Sequence, residues 1–169
     1  MTAVADSSPL VILTKVGCLD FLNRVFPRVY ISNEVHYEVV VAGAGLPGAS
    51  EVSKAEWIEV KSIQNPASLL SAQRKYGLGP GEMSAIFLAK ELGASPVLLD
   101  DYRARKLAKA EGLEILGSVG LLETFYFRHP AWLGFDFQGP AEEAVIAVQA
   151  SIRADKNSGH QGFKNSFCS

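Results

Sequence analysis

The stretch from Leu78 to Arg105 restricts the fold more than any other. Leu78-Gly79-Pro80-Gly81-Glu82 opens a helical pattern through Ala85, Leu88, Ala89 and Leu92; Gly93 turns the chain, and Val97-Leu98-Leu99 runs into Asp100-Asp101. A short apolar run of this kind reads as a buried strand, and open α/β sheets keep their ligand crevice at the carboxyl ends of such strands. Adjacent carboxylates repel, so a pair at that edge calls for a cation, a proton or basic partners.

The same unit recurs along the chain. Ala3-Val4-Ala5 is a short apolar run that stops at Asp6-Ser7-Ser8-Pro9, where a polar residue before proline signals a helix start. Leu10, Leu13 and Val16 form one helical face, Gly17 interrupts it, and Leu19, Phe21, Leu22, Val25 and Phe26 form the next. Arg28-Val29-Tyr30-Ile31 is a second strand, and Ser32-Asn33 caps a helix expected from Glu34 to Val41. The Gly/Pro cluster from Gly43 to Gly48 marks a loop or mobile connection. Trp57-Ile58-Glu59-Val60 reads as a short edge strand, and Asn65-Pro66 opens a helix that ends at Tyr76-Gly77.

After the paired acids, Ala104, Leu107, Ala108 and Leu113 line one helical face, while Arg103, Arg105, Lys106 and Lys109 make the other basic. Leu113 to Leu116 is the last strand, followed by an apolar helix from Val119 to about Phe127. Strands alternating with helices imply an α/β fold, with a mainly parallel sheet of about four to five strands between two helical layers.

A chain of 169 residues with 48% hydrophobic content supports one core and leaves little room for two. A single domain is expected over residues 1–155. Residues 156–169, rich in Asn, Ser, Gly, Gln and Lys, read as a flexible tail. Trp132, Phe135 and Phe137 lie in an aromatic segment between Pro130 and Pro140, suited to packing against the domain or a partner. The net charge of −2 and pI near 5.9 show no global basic excess, so nucleic-acid binding would rest on local basic patches and on metal ions that offset the acids.

Cys18 and Cys168 make neither a disulfide framework nor a zinc spacing and read as reduced thiols of a cytoplasmic protein. No leader pattern and no membrane-spanning stretch is seen. His36, His129 and His160 lack ligand spacing and read as structural or exposed.

If Val4, Val29 and Leu98 lie on neighbouring parallel strands, Asp6 and Asp100-Asp101 meet at one edge, with Glu38 and Glu82 on the helices beside it. Converging carboxylates suit a hydrated divalent ion, which can activate water for in-line attack on a phosphodiester. Each acid also has a plainer role available. Asp6 or one of the Asp100-Asp101 pair suits a helix N-cap, Glu82 suits the dipole of its helix, and Glu38 competes with Glu34, an ordinary surface acid.

The motif order sharpens this reading. Ala5-Asp6-Ser7-Ser8-Pro9-Leu10, Val35 to Glu38-Val39-Val40, Leu78-Gly79-Pro80-Gly81-Glu82 with Ala85 and Ala89, Leu98-Leu99-Asp100-Asp101 with Arg103, Arg105 and Ala108, then Gly112-Leu113 and Gly117-Ser118-Val119-Gly120 resemble the PIN domain family over roughly the first 125 residues. The resemblance is strongest to a branch related to the toxin ribonucleases of toxin–antitoxin pairs.

The resemblance implies an α/β/α sandwich and a Mg²⁺ or Mn²⁺ centre that cuts single-stranded RNA to a 5′-phosphate and a 3′-hydroxyl. It assigns catalysis to Asp6, Glu38, Glu82 and Asp101, and metal binding to Asp6, Glu82 and the Asp100-Asp101 pair, with Asp101 ranked before Asp100. Ser7 or Ser8 would hold a water or a neighbouring carboxylate, and Arg103, Arg105 and Lys109 would meet RNA phosphates. A small antitoxin and a second copy of the chain are the implied protein partners. The rival readings are a catalytically silent PIN module that binds RNA or a protein, and a receiver-like phosphoacceptor domain. The latter wants its acid pair after the first strand, not the fourth.

Overall fold

In a computed structural model, residues 2–128 are described, with side chains through residue 123. The expectations for the aromatic segment near Trp132, for His129, His160 and Cys168, and for the 156–169 tail lie outside the described residues.

Among the described residues, five strands form one parallel sheet in the order β3-β2-β1-β4-β5. They are β1 (Thr2–Ala5), β2 (Arg28–Ser32), β3 (Ile58–Lys61), β4 (Val97–Leu98) and β5 (Ile115–Leu116). Trp57-Ile58-Glu59-Val60 was expected at an edge, and β3 is indeed an edge strand. Ala5 pairs with Leu98, and the Asp6 amide donates to the Leu98 carbonyl at 3.1 Å. The chain moves outward from β1 to β3 and then returns to β1's other side for β4, so β1 and β4 flank the switch point where parallel sheets open their ligand crevice.

Strand periodicity divides the core into two layers. Ala3, Ala5, Val29, Ile31 and Leu98 face one cluster, while Val4, Val97 and Leu99 face the other. The first layer is filled by α1 (Ser7–Lys15), α2 (Leu19–Val25), α4 (Ala49–Lys54) and α8 (Ser118–Arg128), through Leu10, Leu13, Leu22, Val52 and Leu121. The second is filled by α5 (Pro66–Tyr76), α6 (Pro80–Leu92) and α7 (Tyr102–Ala110), through Leu69, Ile86, Leu88, Ala104 and Ala108. Asn65 caps α5 by accepting the Ser68 amide at 3.0 Å, and Gly77, in the left-handed region at φ 61°, ends it.

Two departures from the sequence pattern bear on the site. The helix expected from Glu34 to Val41 is a four-residue α3 (Asn33–His36) that widens into a π-helix over Tyr37–Ala42. Apolar spacing over so few residues does not separate a 3.6-residue turn from a wider one. The Gly43–Gly48 connection leads directly into α4, whose two buried residues, Ala49 and Val52, leave too short a period to read. No described helix is long and apolar enough to cross a membrane.

Leu98 is 1% exposed and joins the switch-point strand to α8. Leu98→Ala is expected to lower unfolding free energy by about 2–5 kcal/mol in urea denaturation, the range for emptying a buried leucine site. A loss below about 1 kcal/mol would mean that the strand is not buried as described.

Candidate active site

Asp6 leaves β1 at the N-cap position of α1, yet its carboxylate makes no capping bond. The plainer N-cap role therefore does not account for it. The residue is 1% exposed, and its Oδ2 is buried without a hydrogen-bond partner. Its Oδ1 accepts from Ser7 Oγ at 3.2 Å, and the same hydroxyl donates to Glu38 Oε2 at 2.8 Å. One hydroxyl proton thus faces two carboxylates and cannot satisfy both. Ser8, partly buried in the first turn of α1, forms no part of this pair of bonds.

Glu38 reaches the crevice from the π-helix. Ser32, at the end of β2, caps α3 through a 3.1 Å bond from the Val35 amide and so sets the direction in which that element leaves the sheet. The Gly81 amide donates to Glu38 Oε1 at 3.1 Å. Gly81 lies so close that a Cβ there would stand 2.5 Å from Glu38 Oε2 and 2.8 Å from Asp6 Oδ1. The Gly-Pro-Gly lead-in reads as a turn in the sequence, but its second glycine also makes room for two acids. Glu82 follows in the first turn of α6, where its Oε2 accepts the Gly79 amide at 2.8 Å, and its charge acts on Asp6.

The electrostatics follow from this crowding. Burial, then repulsion from Glu82 and Glu38, pushes the Asp6 carboxyl up to about 8, against hydrogen bonds from the Ser7 amide and hydroxyl. Burial also raises Glu38, while its bonds from Ser7 and Gly81 pull it down and Glu34 adds repulsion. Glu34 is more than the surface acid its sequence context suggests: it is partly buried, with Oε2 lacking a hydrogen-bond partner.

The Asp100-Asp101 pair divides its labour. Asp101 takes the plainer role, capping α7 through a 2.9 Å bond from the Ala104 amide. Asp100 receives the Ser118 amide on Oδ1 at 2.8 Å and the Ser118 hydroxyl on Oδ2 at 2.6 Å, and so ties the end of β4 to the start of α8. A Cβ at Gly117 would meet both Asp100 Oδ1 and the Arg105 guanidinium, which places Arg105 beside this acid. Arg103 instead donates to the Tyr76 carbonyl at 2.8 Å, at the end of α5, and Lys109 is exposed in the last turn of α7. The acids that the fold demonstrably brings together are Asp6, Glu38 and Glu82. Gly81, whose amide bonds Glu38, and Ser118, which bonds Asp100, carry no acid–base signal in a linear reading.

The donor set suits a hard divalent cation. An orphaned buried carboxylate oxygen, a shared hydroxyl proton and a raised acid describe a group whose ionisation is costly until a cation offsets the charge. No three of the described His, Cys, Asp and Glu side chains enclose an ion by themselves. Mg²⁺ does not require that, since it keeps several waters and binds through one or two carboxylates.

A parallel α/β/α sandwich with carboxylates gathered at its switch point offers a cation or phosphate site at that edge. A family model described as a PIN domain, DUF3368, matches residues 2–126, and the chain belongs to the PIN-domain family. PIN domains are generally nucleases and typically use divalent metals. Among solved structures, a PilT N-terminus domain protein from the archaeon Sulfolobus solfataricus P2 shares the fold. It matches with a TM-score of 0.53 and 20% identity, over 73% of this chain and 92% of that one. Comparison with curated proteins finds no match.

Because the folded Asp6 carboxyl sits near 8 and its unfolded value near 3.8, the folded state holds an extra proton between those values. The stability this contributes is complete below about pH 4 and is lost as pH rises through about 8. In chelator-treated protein, thermal melts should therefore show stability falling from pH 5 to pH 8, with a shallower fall in Asp6→Asn; an equal slope in both would contradict the assignment. Gly81→Ala is expected to displace Glu38, read as a changed Glu38 side-chain carboxyl shift in NMR spectra; an unchanged Glu38 carboxyl shift would count against the close approach.

Proposed function

We propose that the chain is a metal-dependent ribonuclease that cuts single-stranded RNA, acting in the cytoplasm as the toxin of a toxin–antitoxin pair. The observation that carries the catalytic part is the junction of Asp6, Ser7, Glu38 and Gly81, where two carboxylates share one hydroxyl proton and one carboxylate oxygen is orphaned. The biological setting, the antitoxin and a homodimer come from the resemblance of the motif order.

Asp6 and Glu38 would hold the ion, with Glu82 adding negative charge and Asp100 standing at the next strand end. A bound Mg²⁺ or Mn²⁺ supplies Lewis acidity, lowering the pKa of a water and offsetting charge that builds on the phosphate. The chain's own residues do the rest. Ser7 holds the two carboxylates in register, the Gly81 amide fixes Glu38, and the buried side of Asp6 excludes bulk water. Arg105 and Lys109 would take the backbone phosphates of the incoming strand, whose contacts position the substrate without reading its sequence. Water attacks phosphorus in line as the bond to the 3′-oxygen breaks, leaving a 5′-phosphate and a 3′-hydroxyl without a covalent enzyme intermediate.

Purified protein with Mn²⁺ should cleave a mixed pool of single-stranded RNA to 5′-phosphorylated products, and Asp6→Asn should slow this by about 100-fold, the upper end for disturbing a metal site. Absence of cleavage in the wild type, or cleavage indifferent to Asp6→Asn, would sink the proposal. RNA binding retained without any divalent-ion site in calorimetry would identify a silent RNA-binding module instead.

A further inference from the structure

Ser32 and Ser84 are both fully buried, and their Oγ atoms lie 2.7 Å apart although 52 positions separate them. The Val35 amide donates to Ser32 Oγ at 3.1 Å, and Ser84 Oγ donates to the Gly81 carbonyl at 2.9 Å. A hydroxyl has one proton. The Ser84 proton lies on Gly81, so the Ser32 proton lies on Ser84, and the chain of bonds runs one way from the Val35 N–H to the Gly81 C=O. Each hydroxyl donates once and accepts once, which leaves no orphan in a place without water.

The two ends of this relay are the two elements that build the acid junction. Val35 belongs to α3, which continues into the π-helix carrying Glu38, and Gly81 belongs to the first turn of α6, next to Glu82. Gly81 is thus tied twice to the same element, by its carbonyl through Ser84 and Ser32, and by its amide to Glu38 Oε1. Two hydroxyls in a dry core add little net stability over a well-packed apolar pair, but their directionality fixes a geometry that apolar contact leaves free to slide.

We infer that Ser32 and Ser84 are positioning residues of the acid site, acting through Gly81 and Glu38 to set the gap in which Asp6 and Glu38 meet. The relay's geometry stands alone, while its consequence for metal affinity rests on the nuclease reading above.

The test compares wild type with Ser32→Ala, Ser84→Ala and the double variant. Three quantities are measured: urea stability, hydrogen exchange at the Gly81 amide in metal-free protein, and Mn²⁺ affinity by calorimetry. Gly81 exchange is taken relative to the Ala85 and Leu88 amides of the same helix, so that general destabilisation cancels. Each single variant orphans a buried hydroxyl and should lose stability, whereas the double variant removes both hydroxyls and should recover part of it, the Val35 amide still lacking its acceptor. Positioning predicts that Gly81 nevertheless stays selectively unprotected in the double variant, and that Mn²⁺ binds about 10- to 100-fold more weakly, as when the supports of metal ligands are removed. Return of Gly81 protection in the double variant would overturn the inference and leave the serines a purely structural role. A wild type with no Mn²⁺ affinity would overturn the nuclease reading, while the Gly81 comparison would still decide the relay.

Discussion

The structure depends on a carboxylate kept from water. Asp6 is buried at the end of the central strand, beside two more acids, with one oxygen bonded to a hydroxyl it must share and the other bonded to nothing. Such a group is costly to hold unless a proton or a cation comes to it. The surrounding residues do not relieve that cost. The α1 N-terminus forgoes its cap, Gly81 gives up a side chain, and a Glu arrives from a widened helical turn.

Topology makes this convergence possible. Asp6 and Asp100 follow strands that are adjacent in the sheet but more than ninety positions apart in the chain, and Glu38 and Glu82 come from elements that start at the same edge. The reversal of strand order between β1 and β4 leaves no covering crossover at that point, so the carboxyl ends of these strands open onto a crevice. The hydroxyl relay from Val35 to Gly81 then joins the helices that follow β2 and precede β4. It fixes a direction of bonding where apolar packing alone would tolerate slippage. A π-helix carrying Glu38 belongs to the same pattern, since wide turns of this kind occur often at functional sites.

Much of this was legible in the linear chain, and for identifiable reasons. The uninterrupted apolar runs Ala3-Val4-Ala5 and Val97-Leu98-Leu99, followed each time by an acid, mark buried parallel strands and their carboxyl edge. Glycines at positions 77 and 93 and the Asn65-Pro66 start punctuate the helices. Where the signal was short, it failed: α4 has only two buried residues, and the π-turn shares its apolar positions with an α-helix. The division of Asp100 and Asp101 was equally out of reach, because each can cap a helix and only the position of Ser118, brought in by α8, gives Asp100 a different partner.

The sequence by itself determined the alternation of strands and helices, and with it the parallel sandwich and the edge at which its acids gather, because local periodicity and turn chemistry act over a few residues. The tertiary structure alone decided which oxygens meet. That Asp6 is not a cap, that Gly81 stands against two carboxylates, and that Ser32 and Ser84 join across 52 positions are matters of ångströms between distant segments, and no local propensity encodes such a distance.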